Sequence, residues 1–396
     1  MTSRAVVSHV QEALSEKRHI DGWLFYDYRG RNRMVLDLLG VPQSLLLTRR
    51  FFYWVPTIGE PIKIIHSVDA HLAEYFLGKT ILYSSWRELE AVLFSILRQG
   101  QTVAMEYWPS ELLPSQSLLD ASTKEWLERQ GVRIISSWPL LGALVGRFTP
   151  IQKDLYRDAV CVLGKAFEQV WEYLKSHLSN GEHVTEKSLQ DVFIKVIHSE
   201  NAIFDTPPIV AVGQNSIIPH HIPDDTRIHP DSLVLIDAWC KMNDSNAPYA
   251  DFTQVAFTGR KPPEIVQSIF RVVREAQETA IRFINSCLQN GCVVPGAEVD
   301  MACRYVIDSH GFGNYFTHRT GHNIFLEVHG PGANLDNYET RDARHLISNG
   351  CYSIEPGIYL PSAFGIRLEC NVLLDNRTAC SVFEKAPDAI RCVFPS

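Results

Sequence analysis

The clearest hydrophobic pattern in the chain lies between residues 150 and 180. Ile151, Leu155, Val162, Leu163, Phe167, Val170, Trp171, Leu174 and Leu178 recur at helical spacing, which predicts one long amphipathic helix. Thr149 and Pro150 supply a capping hydroxyl and a proline suited to the first helical position, and Asn180-Gly181 marks the end. Upstream the pattern changes. WLFYDYRG (23–30), SLLLTRRFFYWV (44–55), PIKIIHSV (61–68) and TVAMEYW (102–108) are short apolar runs that predict strands, interleaved with helical stretches. A separate, smaller α/β domain over 1–148 and a second domain over 149–396 follow.

The second domain repeats itself. LSNGEHVTEKSLQDVFIKVIHSE (178–200) aligns without gaps on LQNGCVVPGAEVDMACRYVIDSH (288–310), each copy ending one helix at Asn-Gly and opening another. Further on, LVLIDAW and YADFTQVAF match CYSIEPGIY and IRLECNVLL. Asp237 and Asp251 are fourteen apart, and so are Glu355 and Glu369. The expected architecture is α+β, two helix-helix-strand-strand halves related by a pseudo-two-fold that brings four carboxylates to a shared axis.

Composition narrows the partners. A chain of 396 residues with a formal net charge of -8 and no basic run offers no footprint for nucleic acid or an anionic membrane. No stretch approaches the ~20 apolar residues of a membrane span. The N-terminus lacks the continuous apolar core of a signal peptide, and the nine cysteines form neither an even disulfide set nor a CxxC pair, so a cytoplasmic setting is expected.

The four carboxylates sit in apolar strands, where an unpaired charge is costly to bury. Arg367 is the only basic residue inside the carboxylate-bearing segments, with Lys241 just beyond Asp237. Divalent cations would balance the charge, and histidines are at hand: His318, His322 and His329 in HRTGHNIFLEVHG, His220 and His221 in PHHIPDD. Two ions a few Å apart can lower the pKa of a shared water toward ~7 and polarise a carbonyl, which suits amide hydrolysis.

At these residues the sequence resembles the pita-bread-fold metallopeptidases, most closely aminopeptidase P and prolidase, over the whole chain including a creatinase-type N-terminal domain. IVAVGQNSIIPH, DAWCKMNDSNAPYADFT, HRTGHNIFLEVH, IEPGIY and FGIRLE carry the resemblance. It implies metal ligation by Asp237, Asp251, His322, Glu355 and Glu369, with Asp251 and Glu369 bridging two ions, Mn first among Mn, Co, Zn and Fe. It further implies Glu355 as general base, His220 and His329 at the substrate, His318 lining the pocket and Arg367 orienting a carboxylate. The substrate would be an Xaa-Pro dipeptide or peptide and the assembly a homodimer, with Arg49, Arg50, Tyr53 and Trp54 in a candidate rim segment.

Two other readings share the fold: a hydrolase of small non-peptide C-N bonds, creatinase-like or ectoine-hydrolase-like, and a non-catalytic binding module. Three departures bear on the substrate. The extra residues MNDSNAP lengthen a spacing that is usually eleven, Asn323 and Phe325 stand where glycine is common, and Gly330 replaces an acidic residue. Bulk at 323 and 325 is expected to shrink the pocket or redirect it away from a prolyl ring.

Overall fold

The computed structural model describes residues 3–17, 19–42, 44–109, 113–374 and 380–394. They form two compact units, 1–145 and 146–396.

The N-terminal unit is built on a six-stranded sheet in the order Lys79–Tyr83, Ile62–His66, Arg50–Pro56, Gly22–Tyr28, Thr102–Met105, Arg133–Ser136. Arg50–Pro56 runs antiparallel to both neighbours, and the other pairings are parallel. Along Gly22–Tyr28, Trp23 and Phe25 join one apolar layer, while Leu24 and Tyr26 join the layer on the opposite face. Both faces are covered, so these strands read as continuous apolar runs and not as alternation. The same parity places Tyr53 and Trp54 on opposite faces, 0% and 5% exposed. A rim or a solvated strand end, the two readings of this segment, is therefore corrected for Tyr53 and Trp54, which are core residues, whereas Arg49 and Arg50 reach the surface. The polar edge strand Lys79–Tyr83 and the short Arg133–Ser136 carried too little apolar pattern to be foreseen.

The second unit shows the duplication in its helices. Pro150–Ser179 and Glu186–Ser199 form one pair, Glu264–Gln289 and Gly296–Ser309 the other. The long helices stop at Asn180-Gly181 and Asn290-Gly291, where the glycines adopt φ of 71° and 68°. The bridges Thr185–Arg227 and Pro295–His345 recur at corresponding places.

The strands are less symmetric. In the first half Leu233–Met242 pairs along eight positions with Ala250–Phe257. In the second half the matching hairpin breaks into Cys351–Ile354 with Cys370–Leu373, and Gly357–Leu360 with Phe364–Arg367. Pro356 has no N–H for a ladder and falls at the break. The backbone N–H of Glu355 donates instead to the Thr320 carbonyl, at 2.8 Å.

Across the seam between the halves, the Glu369 N–H donates to the Thr253 carbonyl at 3.1 Å. Alternate residues of Leu233–Met242 face different helix pairs: Leu233 and Leu235 pack with the Glu264–Gln289 layer, Val234 and Ile236 with the Pro150–Ser179 layer. Asp237 continues the first series, so strand parity alone decides which way its carboxylate points.

Candidate metal centre

Asp237, Asp251, His322, Glu355 and Glu369 come together where the two sheets meet. Ligand atoms of Asp251, His322 and Glu369 lie within 4.8 Å of one another, and all three residues are buried. His322 Nε2 is 3.3 Å from Glu355 Oε1 and 3.9 Å from Asp251 Oδ2. Asp237 stands on the other side of this group. Its Oδ2 accepts from Arg367 Nη2 at 2.6 Å and its Oδ1 lies 2.9 Å from the Thr253 hydroxyl.

The electrostatics of so many buried acids are unfavourable without a counter-charge. Burial, followed by the charges of Asp237 and Glu355, pushes the Asp251 carboxyl well above its usual range. Burial with Asp251, Glu355 and Asp237 does the same to Glu369. Glu355 rises to about 7, again chiefly by burial. Thr253 Oγ1 also sits 2.9 Å from Glu369 Oε2, and it accepts from Arg367 Nε at 3.2 Å. The hydroxyl has one proton for two carboxylates, so it can donate to only one of Asp237 and Glu369 at a time.

Asp251 Oδ1 and Glu369 Oε1 are buried side-chain oxygens with no hydrogen-bond partner. Such orphaned acceptors are rare in folded proteins and point to a missing cation. Carboxylates and an imidazole form a donor set suited to Mn, Co, Zn or Fe. His322 fits as a ligand because burial holds its imidazole well below the ordinary pKa, in the neutral form.

Around this group lies a polar chain. Arg367 Nη1 donates to the Tyr359 hydroxyl at 3.1 Å, and that hydroxyl is 2.7 Å from His318 Nε2. Burial and the Arg367 charge drive His318 down to about 3, so it is neutral. His329 meets the His322 ring edge-on at a centroid distance of 4.4 Å. His220 is exposed, and its charge contributes to lowering His329. His221 is committed elsewhere: its Nε2 is 2.7 Å from Glu186 Oε2. Lys241 donates to the Leu326 carbonyl at 3.2 Å.

Sequence reasoning missed Thr253, Tyr359, Ser353 and Asn371. Ser353 Oγ accepts from the His322 N–H at 3.0 Å and lies 3.3 Å from Glu355 Oε1. Thr253 and Asn371 stand two positions after Asp251 and Glu369, on the same strand face, and the repeat superposes them. A polar residue at that spacing in an apolar strand was the available signal.

Asn323 and Phe325, expected to add bulk beside the site, each have partners inside the fold. Asn323 turns away from the carboxylates and is fully buried. Its Nδ2 donates to the Cys351 carbonyl and its Oδ1 accepts from the Gly332 N–H, each at 2.9 Å. A Cβ on Gly330 would meet Asn323 Oδ1 at 2.5 Å, and one on Gly332 would meet Asn323 Cγ at 2.4 Å. Asn323 and these glycines thus form one packing unit. Phe325 stacks on Phe148 at 6.2 Å, against the layer of the first helix pair.

An N-terminal α/β domain followed by two pseudo-symmetric halves around buried carboxylates defines a pita-bread metallopeptidase architecture. The chain belongs to metallopeptidase family M24, which matches residues 154–376, more than half of its length. It is similar to the Xaa-Pro dipeptidase of Pyrococcus furiosus, 33% identical over 192 residues, 48% of this chain and 50% of that one. The chain spans about half the length of the curated relatives it matches at this level. Solved structures that share the fold include the following two. Dipeptidase PepE from Mycobacterium ulcerans has a TM-score of 0.74 at 20% identity, covering 99% of this chain and 98% of that one. The N-terminal domain of FACT complex subunit SPT16 from Cicer arietinum has a TM-score of 0.66 at 13% identity, covering 96% of each. These likenesses show the fold alone, so the chemistry has to be argued from the site. Among the described residues no helix is long and apolar enough to cross a membrane.

Proposed function

We propose that this chain is a dinuclear-metal peptidase that hydrolyses Xaa-Pro bonds, of the aminopeptidase P or prolidase type. The observation that carries the metal reading is the pair of orphaned oxygens, Asp251 Oδ1 and Glu369 Oε1, beside a neutral His322. In this reading Asp237, Asp251, His322, Glu355 and Glu369 are the ligands, Asp251 and Glu369 are shared, and manganese is the first metal to try. Bound divalent ions would supply a nucleophilic water acidified toward neutrality and polarise the scissile carbonyl. The chain's own residues do the rest. Glu355 accepts the proton at its carboxylate and passes it toward the leaving nitrogen. Arg367, held between Asp237 and Tyr359, keeps the Asp237 carboxylate in one orientation. His220 and His329 contact the substrate, and His318 lines the pocket through its bond to Tyr359. The Xaa-Pro preference draws on the Pyrococcus relative, and on Asn323 and Phe325 being engaged by Cys351 and Phe148 inside the fold. A homodimer in the cytoplasm completes the proposal.

The test is a panel of Xaa-Pro dipeptides, Xaa-Pro-Yaa peptides, non-prolyl peptides and small non-peptide amides, run with Mn, Co, Zn and Fe. Release of the amino acid ahead of proline is expected, and Glu355→Gln should abolish it while the protein still takes up metal. Cleavage of non-peptide amides alone would overturn the substrate. Failure to bind metal, with no turnover of any substrate, would overturn the enzyme and favour a binding module.

A further inference from the structure

The N-terminal unit holds a cavity of about 560 Å³ whose lining includes none of the proposed metal ligands. Three strands running the same way, Gly22–Tyr28, Ile62–His66 and Lys79–Tyr83, end at its wall with Tyr28, His66 and Tyr83. The opposed strand begins there with Arg50. Asp120 and Thr123, at the start of the helix that follows Thr102–Met105, close the other side. From Gly22–Tyr28 the chain builds one flank of the sheet and then returns to lay Thr102–Met105 on the other. The cavity therefore lies outside the carboxyl ends of the parallel strands, where the strand order reverses, which is where open α/β sheets take ligands. Its volume falls within the roughly 300–1,000 Å³ of small-molecule sites.

Its charges are unbalanced in a specific way. Arg31, Arg49 and Arg50 line it together with Asp27 and Asp120. Neutral donors hold both carboxylates in place without removing their charge, Asp27 accepting from the N–H groups of Gly30 and Asn32 and Asp120 from Tyr26, Ser122 and Thr123, so three guanidiniums face two carboxylates. Neither forms an ion pair with an arginine among the described residues. Arg49 Nη1, among the same residues, donates only to the Thr48 carbonyl, at 3.3 Å. Among the described residues the half-buried Arg50 guanidinium makes no hydrogen bond or ion pair. The N–H groups of Ser84 and Ser85, ahead of the helix Trp86–Ile96, are taken by Glu88, so attraction for an anion comes from the guanidiniums. Trp86 and Tyr28, 58% and 38% exposed, line the same cavity; Arg87 lies over one face of the Trp86 ring at 4.6 Å and Arg31 over one face of Tyr28 at 5.7 Å, which leaves the opposite face of each for a ligand.

We propose that this cavity binds a phosphomonoester carrying a flat ring, of nucleoside-monophosphate size, with the phosphate on Arg49 and Arg50 and the ring against Trp86. Two guanidiniums match a phosphate dianion in charge and in their forked donor geometry, whereas a monocarboxylate would neutralise only one. An exposed indole takes a stacked ring without reading its identity.

The experiment is calorimetric titration of the full, metal-containing chain with AMP, with inorganic phosphate and with citrate. Saturable AMP binding is expected, with inorganic phosphate weaker because it lacks the ring. Arg50→Gln and Arg49→Gln should each weaken AMP by about tenfold or more at an unchanged urea midpoint. Trp86→Ala should weaken AMP and leave inorganic phosphate as it was. AMP binding equally tight in both arginine variants would place the anion elsewhere and overturn the proposal. So would citrate binding more tightly than AMP, or the absence of saturable AMP binding to the wild-type chain.

Discussion

The side chain of Asn371 closes a pair of hydrogen bonds on the backbone of Asp251: its Oδ1 accepts from the Asp251 N–H at 3.1 Å and its Nδ2 donates to the Asp251 carbonyl at 2.7 Å. Tyr156 donates to the same Oδ1 at 3.0 Å. The second half thus uses an amide to fix a carboxylate-bearing residue of the first. In the reciprocal contact, the Thr253 carbonyl fixes the Glu369 backbone.

Asn371→Ala leaves two buried backbone groups of Asp251 and the Tyr156 hydroxyl without partners. The expected cost is about 2–4 kcal/mol, read from urea unfolding, with weaker metal uptake. A midpoint within error of wild type would show that the pair contributes nothing.

Arg367→Lys keeps the charge but cannot span Asp237, Thr253 and Tyr359 as the guanidinium does. Metal affinity or turnover should fall roughly 10- to 100-fold with the fold retained. Wild-type values in both assays would remove Arg367 from any orienting role.

Chelation should destabilise the second unit, because it restores mutual repulsion among buried carboxylates and orphans Asp251 Oδ1 and Glu369 Oε1. A Tm lower by roughly 10 °C, recovered on returning a divalent ion, is the expected result. An unchanged Tm in EDTA would contradict a resident cation.

In the N-terminal unit, burial raises the Glu106 carboxyl from 4.5 to about 7, despite donors from Trp23 and Asn32 at 2.7 and 2.9 Å. A raised folded-state value means the folded chain holds this proton more tightly. The linked stability is complete below pH 4.5 and is lost as pH rises toward 7, by about 3 kcal/mol. Urea unfolding of wild type and Glu106→Gln across this range checks it: their difference should change with pH, and a constant difference would refute the assignment.

Much of the second unit was legible because its signals are local and periodic. Thr149-Pro150, the Asn-Gly helix ends and the fourteen-residue spacings each depend on residues near in sequence, and duplication states them twice. The family resemblance then pointed to His322, His318, His329 and Arg367, which no periodicity marks. Chain order alone pointed to the paired helices, many of the strands and the expected convergence of four carboxylates on one axis.

The tertiary structure decided what each polar group meets. Arg367 is 130 positions from Asp237, and Thr253 is 116 from Glu369, so no window along the chain contains either contact. The same applies to Asn323, whose bulk looked obstructive until its amide was seen bonded to Cys351 and Gly332, with no Cβ on Gly330 or Gly332 to oppose it. Tyr53 and Trp54 became core because helices cover both faces of their sheet, a condition set by elements far away in sequence. Sequence determines which residues are polar and on which face of a strand they stand; only packing brings two such faces together and, among the described residues, leaves the Arg50 guanidinium without an ion pair.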